Sequence, residues 1–328
     1  MSFKSSVLTA GLAAIVVAGL AAWLVYAKER RPPPQPGTRW TDEQLVQAVA
    51  PMRAGRRLTP ERWPNGARVA VCLSWDVDAE TLELVSGNTA PVALSEGEYA
   101  AIQALPRILD LHDRHDVPGT FYIPAVSALL HPEIVEALRR RPQHEVGIHG
   151  WIHERLPRLG DRAEEKRLLR RALDFWTRAL GQRPVGYRAP YFELSEHTLD
   201  LLREAGFAYD SSAMSRDEPY ELLAKGRPTG LVELPVSWIL DDAAYLAMPR
   251  GALSSPRLVF ETYRDEFDGA YREGTLFMLT LHPEISGHRS RLVHIERLIA
   301  YIKAKPHVWF ATGRQIAEYV RQQKGMVK

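Results

Sequence analysis

Two histidines four residues apart, His149 and His153 in "EVGIHGWIHE", have the spacing of a pair of metal ligands. On a helical turn such positions share one face, so both imidazoles can reach one ion. Alone the pair is weak evidence, because histidines in loops and cores are common. A second stretch strengthens it. In "SWDVDAE", Asp76 and Asp78 are two apart, and along an extended strand residues i and i+2 face the same way. Two carboxylates that close repel, and one is hard to ionise without a cation nearby. A metal resolves the repulsion by taking one as a ligand, which leaves the other as a general base. A solvated, Asp-rich turn is the plain alternative for that fragment. Joined, two histidines and one aspartate make a site with open positions, suited to Zn²⁺ for hydrolysis and also to Fe²⁺, Co²⁺ or Mn²⁺. An open position admits the water that attacks.

Further polar residues have the chemistry to complete such a site. Arg188 in "GYRAPYF" presents a guanidinium that can fix a carboxylate in one orientation, or simply form a structural salt bridge. His282 in "LTLHPEISGHRSR" follows an apolar run and can act as a general acid toward a leaving nitrogen, or be a satisfied strand-end histidine. Asp241 or Asp242 can orient that histidine, or cap a loop. Asp210, Trp238 and Tyr191 fall at the ends of neighbouring runs. His112, His115, His131, His144, His288, His294 and His307 lie in helical or loop contexts and receive no role.

These residues need elements to bring them together. From Arg68 onward, apolar runs alternate with helical patterns: "RVAVCLSWD", "GTFYIP", "HEVGIH", "VGYRAP", "FAYDSS", "LVELPVSW", "TLFMLTLH" and "HVWFAT". Several are apolar almost throughout, as buried parallel strands are. "DRAEEKRLLRRALDFWTRAL" has helical spacing behind an acidic first turn, and "SEHTLDLLREAG" starts at a cap, Ser195, and ends at Gly206. This alternation predicts a closed or nearly closed α/β barrel, with a doubly wound open sheet as the alternative. Most of the runs end in a polar residue, and the C-terminal rim of parallel strands is where active sites are built.

In order and spacing, "SWDVD", "HGWIH", "RAPY", "YDSS" with "LPVSWILDD", and "LTLHP" resemble the polysaccharide deacetylase family, the NodB homology fold of carbohydrate esterase family 4. The likeness covers roughly residues 67 to 320. "HPEISGHRSR" and "PVSWILDD" are similar to the branch of Helicobacter peptidoglycan-deacetylase-like proteins and allantoinases. The resemblance implies a distorted (β/α) barrel. It implies Asp76 as catalytic base, Asp78, His149 and His153 as metal ligands, Arg188 as the group that orients Asp76, and His282 as general acid. The first motif is often two adjacent aspartates in the wider family, whereas Val77 separates them here.

The bulk properties exclude little. The chain has 328 residues, with Lys plus Arg 42 against Asp plus Glu 40, so nothing points to nucleic acid. Cys72 is the single cysteine, which excludes an intrachain disulfide and reads as a buried, inert thiol. Nothing excludes a homo-oligomer. "VLTAGLAAIVVAGLAAWLVYA", Val7 to Ala27, is free of charge and long enough for one transmembrane helix. A signal peptide cleaved before Lys28 is the alternative, and length favours an anchor. Residues 1–28 are thus expected to be an inner-membrane anchor, 29–66 a Pro-rich linker with a short helix begun by Thr41 and Gln44, and 67–328 the catalytic domain. Lys28, Arg30 and Arg31 lean toward a cytoplasmic domain, whereas a glycan substrate requires a periplasmic one.

The leading expectation is a metal-dependent hydrolase of non-peptide C–N bonds that removes N-acetyl groups from a glycan, with a backbone N–H near Tyr191 steadying the oxyanion. The alternative keeps the site for a small cyclic imide or ureide, in a narrow pocket closed by the "LSEGEY" stretch. A non-catalytic glycan-binding module ranks last, because all six chemical positions carry competent side chains.

Overall fold

The computed structural model describes residues 35–247 and 254–326, and the chain divides into two units between Ala48 and Val49. Helix Asp42–Val49, all but its last residue in the first unit, starts at the expected capping box: Thr41 N donates to Gln44 Oε1 at 2.9 Å and Gln44 N to Thr41 Oγ1 at 3.3 Å. The apolar run Val7–Ala27, expected as an anchor, lies outside the described residues. Among the described residues no helix is long and apolar enough to cross a membrane.

The second unit is built on ten strands: β1 (Arg53–Arg57), β2 (Val69–Asp76), β3 (Thr120–Ile123), β4 (Glu145–Ile148), β5 (Gly186–Tyr187), β6 (Tyr209–Asp210), β7 (Tyr220–Ala224), β8 (Arg227–Glu233), β9 (Leu276–Leu281) and β10 (Val308–Phe310). Strands β9, β2, β3, β4, β5, β6 and β8 pair in parallel in that order, and β10 joins the first half of β2. The two ends of this curl meet at an isolated parallel bridge between Asp241 and Thr280, so the sheet is a curled, incompletely closed α/β barrel of the expected type.

All eight apolar runs contain strands. Two strands were not foreseen. Strand β1 lies in the stretch read as loop, and with β7 it extends the sheet antiparallel beyond β8. The sheet-bearing unit therefore begins before residue 67, the expected boundary. The sequence of β1, "RAGRR", has the polar character of an edge strand, which hides it from an apolar-run reading. Behind it, Leu58 and Trp63 enter the core at 0% and 1% exposure.

Strand β2 shows how the barrel sorts its residues. Val69, Val71, Leu73 and Trp75 pack outward with the helices, while Ala70 and Cys72 belong to the interior cluster. Period two then places Ser74 and Asp76 inside the barrel. Each large apolar side chain buried this way contributes roughly 1.5–3 kcal/mol, which fixes the register against a one-residue slip.

Candidate metal centre and catalytic pocket

The two histidines converge by a different route from the one their spacing suggests. His149 follows the last residue of β4, and a tight turn rather than a helix carries the chain to His153. Gly150 (φ 78°) and His153 (φ 59°) both take left-handed backbone there. Glu154 holds the turn, its carboxylate accepting from Trp151 N at 3.0 Å and Ile152 N at 2.8 Å. A Cβ at position 150 would stand 2.9 Å from Glu154 Oε2, so glycine serves both the angle and the space. The outcome is two imidazole rings 5.0 Å apart.

Asp78 meets them both. His149 Nε2 lies 3.5 Å from Asp78 Oδ1, and His153 Nε2 lies 3.4 Å from Asp78 Oδ2. All three residues are at most 3% exposed, and their ligand atoms form one compact group. His149 Nδ1 must donate to the Arg188 carbonyl at 2.8 Å, so Nε2 carries a lone pair toward the carboxylates. Burial pulls its pKa down to about 4 and pushes that of His153 well below the usual range, so both rings are neutral at pH 7. Burial raises Asp78 well above the ordinary carboxylate range, and Glu284 adds to the rise. Asp78 Oδ1 and His153 Nδ1 make no hydrogen bond. Lone pairs that face one another in a dry site are repulsive unless a cation lies between them. The donor set therefore fits a divalent metal.

Asp76 has a separate partner. Arg188 Nη1 donates to its Oδ1 at 2.6 Å, while Oδ2 lies 3.8 Å from His149 Nε2. The guanidinium is fully buried: Nη1 also donates to Ser74 Oγ, Nε to the Ser211 carbonyl and Nη2 to Ser211 Oγ, with the Tyr122 ring 4.0 Å beneath. Asp210 lies outside the pocket and acts at one remove. It accepts from Ser212 Oγ, which accepts from Ala189 N. Glu233 sits beside it in register, taking Ser212 N and Ala213 N on one oxygen. Burial raises both acids, and Asp210 Oδ2 and Glu233 Oε2 are buried without a hydrogen-bond partner.

His282 belongs to the opposite wall. Its Nδ1 contacts Asp242 Oδ1 at 2.7 Å, and its own backbone N–H donates to Asp242 Oδ2 at 3.0 Å. Burial pulls its pKa down, but Asp242, Asp241 and Asp78 outweigh that, and the result is well above the usual imidazole range. Of the two candidate orienting acids, Asp242 does the orienting. Asp241 accepts from Ala243 N to cap helix Asp242–Leu246, and stands 3.9 Å from His282 Nδ1.

Asp76, Asp78, His149, His153, His282, Tyr191, Trp238 and Asp241 all line one cavity of about 360 Å³. Tyr191, with left-handed backbone at φ 57°, packs against His153 and under the Arg155 guanidinium. Trp238, half exposed at the rim, rests on Phe192. The sequence did not single out Glu154, Ser211, Ser212, Glu233 or Glu284, the last a buried wall of the same cavity. The "LSEGEY" stretch forms part of helix Pro91–Tyr99, and none of its residues lines this cavity.

A curled parallel barrel with a two-histidine, one-aspartate group, a tethered aspartate and a tethered histidine at its strand ends defines a hydrolytic site. The polysaccharide deacetylase family model matches residues 98–209. Peptidoglycan deacetylase of Helicobacter pylori is 30% identical over 285 residues, spanning 76% of this chain and 95% of that protein. A solved Mycobacterium smegmatis structure described as a polysaccharide deacetylase is 37% identical, with a TM-score of 0.75 over 83% of this chain and 96% of that one. An allantoinase structure is 26% identical, with a TM-score of 0.70 over 82% and 94%. The chain belongs to the polysaccharide deacetylase family, whose enzymes hydrolyse carbon–nitrogen bonds other than peptide bonds.

Proposed function

We propose that the protein is a metal-dependent N-deacetylase of an N-acetylated glycan. The observation that carries this reading is the convergence of two opposed proton-handling groups, Asp76 and His282, on one cavity that also holds the Asp78–His149–His153 group. Those three would hold the cation, Zn²⁺ being the natural occupant for a His–His–Asp set, and when bound it would polarise the amide carbonyl and acidify water. Asp76, fixed by Arg188, takes a proton from the attacking water. His282, kept charged by Asp242, gives a proton to the departing nitrogen, so acetate and a free amine result. The Tyr191 N–H is the backbone donor for the oxyanion.

The rim supports a glycan over a small cyclic imide. The stretch expected to close a narrow pocket stands aside from it, and exposed Trp238 offers a sugar-stacking face at the entrance. The uncharged run Val7–Ala27 supports a membrane anchor, and a glycan substrate requires the catalytic domain to face the periplasm, against the lean of Lys28, Arg30 and Arg31. A topology reporter fused after Lys328 tests the orientation. Deacetylation of N-acetylglucosamine oligomers by the wild type and by Asp76→Asn and His149→Ala tests the chemistry. Full activity in either variant overturns the mechanism, and turnover of hydantoin-like compounds without glycan turnover overturns the substrate class.

A further inference from the structure

We propose that Glu284 and Glu96 form a subsite beside the catalytic cavity that receives a protonated primary amine of the substrate. This rests on the glycan reading above and refines its substrate class.

Glu284 follows His282 by two residues, in the short helix Pro283–Ser286. It is 6% exposed, and neither carboxyl oxygen has a hydrogen-bond partner. The residue lines two spaces at once: the catalytic cavity and an adjoining cavity of about 130 Å³. Leu82, Ala247 and Ile285 are walls of both, so the two spaces are neighbours along one surface. Glu96, exposed on helix Pro91–Tyr99, lines the second cavity. Glu83 also lines it, but Asn88 engages its carboxylate. Among the described residues, no lysine or arginine lines this cavity.

A buried carboxyl without donors is costly, so one kept at the edge of a substrate cavity implies a ligand that brings donors. A metal ion is a poor candidate. Among the described residues, Glu83, Glu96 and Glu284 do not converge into a compact ligand group as Asp78, His149 and His153 do. The remaining walls, Ala79, Ala93 and Leu82 among them, are small or apolar and suit the carbon frame of an organic cation. An ammonium group offers three donors that can divide between separated acids.

The walls are also held firmly. A Cβ at Gly97 would stand 2.3 Å from Glu80 N, so helix Pro91–Tyr99 rests directly on the turn that follows Asp78. A Cβ at Gly287 would stand 2.4 Å from that of Ala104, which presses the segment carrying Glu284 against the same layer. A preformed acidic cavity of this kind lowers the cost of binding. On a glycan, the amine it takes is that of a sugar that has already lost its acetyl group. The enzyme then favours partly de-N-acetylated chains over fully acetylated ones.

Calorimetric titration with the glucosamine trimer, which carries amines and no scissile amide, reads the subsite without turnover. The wild type is expected to bind it, Glu284→Gln about tenfold more weakly, and exposed Glu96→Gln by a smaller factor, with salt weakening the wild type most. Equal affinity in the wild type and Glu284→Gln, or no binding by the wild type, overturns the proposal. Should Glu284→Gln fail to fold by circular dichroism, an unchanged affinity in Glu96→Gln overturns it instead. In turnover, the kcat/KM ratio of partly to fully acetylated oligomers should exceed one and fall in both variants. If the wild type deacetylates neither oligomer yet trimer binding depends on Glu284, the deacetylase reading falls and the amine subsite stands.

Discussion

Two polar clusters lie buried within the same barrel, one at each end, and they are built on opposite rules. At the N-terminal end of the strands, Glu145 begins β4 and spends its carboxylate fully. Tyr209 OH donates to Oε1 at 2.9 Å, while Thr120 Oγ1 at 3.2 Å and Arg314 N at 2.7 Å donate to Oε2. Gly313 N, at the start of helix Gly313–Gln323, in turn donates to Thr120 Oγ1, so the acid sits where a helix N-terminus favours negative charge. At the C-terminal end, Asp78, His149 and His153 crowd together with atoms left unpaired. One cluster is complete in the protein alone, and the other is completed by something that arrives. Where buried polar groups saturate one another they specify structure. Where they do not, they mark chemistry.

The contrast can be broken most sharply by mutation at each end. His149→Ala should lower kcat about a thousandfold or more, while the metal-free protein loses one buried hydrogen bond, to the Arg188 carbonyl, and is destabilised by only about 1 kcal/mol. Steady-state kinetics beside thermal melts check both halves. Glu145→Ala should do the reverse. It strands the Tyr209, Thr120 and Arg314 donors in a dry space and should cost about 3 kcal/mol in urea unfolding, while kcat per folded molecule stays near wild type.

Metal titration separates the two ends without a substitution at the floor. Zn²⁺ at a hundredfold excess over its Kd should stabilise the wild type by about 2.7 kcal/mol, and His153→Ala by much less. Differential scanning calorimetry of chelator-treated and reloaded protein reads this. The smallest effect lies in the pH profile. The His282 pKa is raised above its ordinary value, so its proton is held until pH climbs through that raised value. Asp242→Asn removes an upward push and should move the alkaline limb of kcat/KM to lower pH.

Much of this architecture is written in short, local patterns. The eight apolar runs are legible because a strand buried on both faces must be apolar along its length. Strand β1 is not, because the edge strand "RAGRR" gains its place from pairing rather than from burial, and neither is β7, whose five residues between β1 and β8 include the charged Glu221. Asp76, His149, Arg188 and His282 are legible because they are polar residues at the ends of apolar runs, and Asp78 and His153 because of their spacing from Asp76 and His149. The manner of their meeting is less so: the left-handed turn at Gly150 and His153 depends on the Glu154 carboxylate, which the HxxxH spacing does not disclose. Likewise, Ser195 was expected to cap its helix. Instead it bonds to Glu165 and His197, and the helix begins at Thr198. Glu233 and Glu284 left faint signals, a lone acid within "LVELPV" and another after "HP", that acquire meaning only when distant strands place them beside Asp210 and a cavity.

The bridge from Asp241 to Thr280 has a consequence for how the enzyme keeps time. It is a seam where the curl meets itself, and it runs beside the Asp242–His282 tether: Asp242 follows the bridge residue Asp241, whereas His282 directly follows β9, which pairs with β2 over six residues, and Asp76 ends β2. Thermal breathing along the seam would loosen Asp242 from the proton donor His282 while leaving the Asp76–Arg188 pair assembled. The two halves of the reaction thus rest on foundations of unequal stiffness, and heat should silence the acid before it disturbs the base.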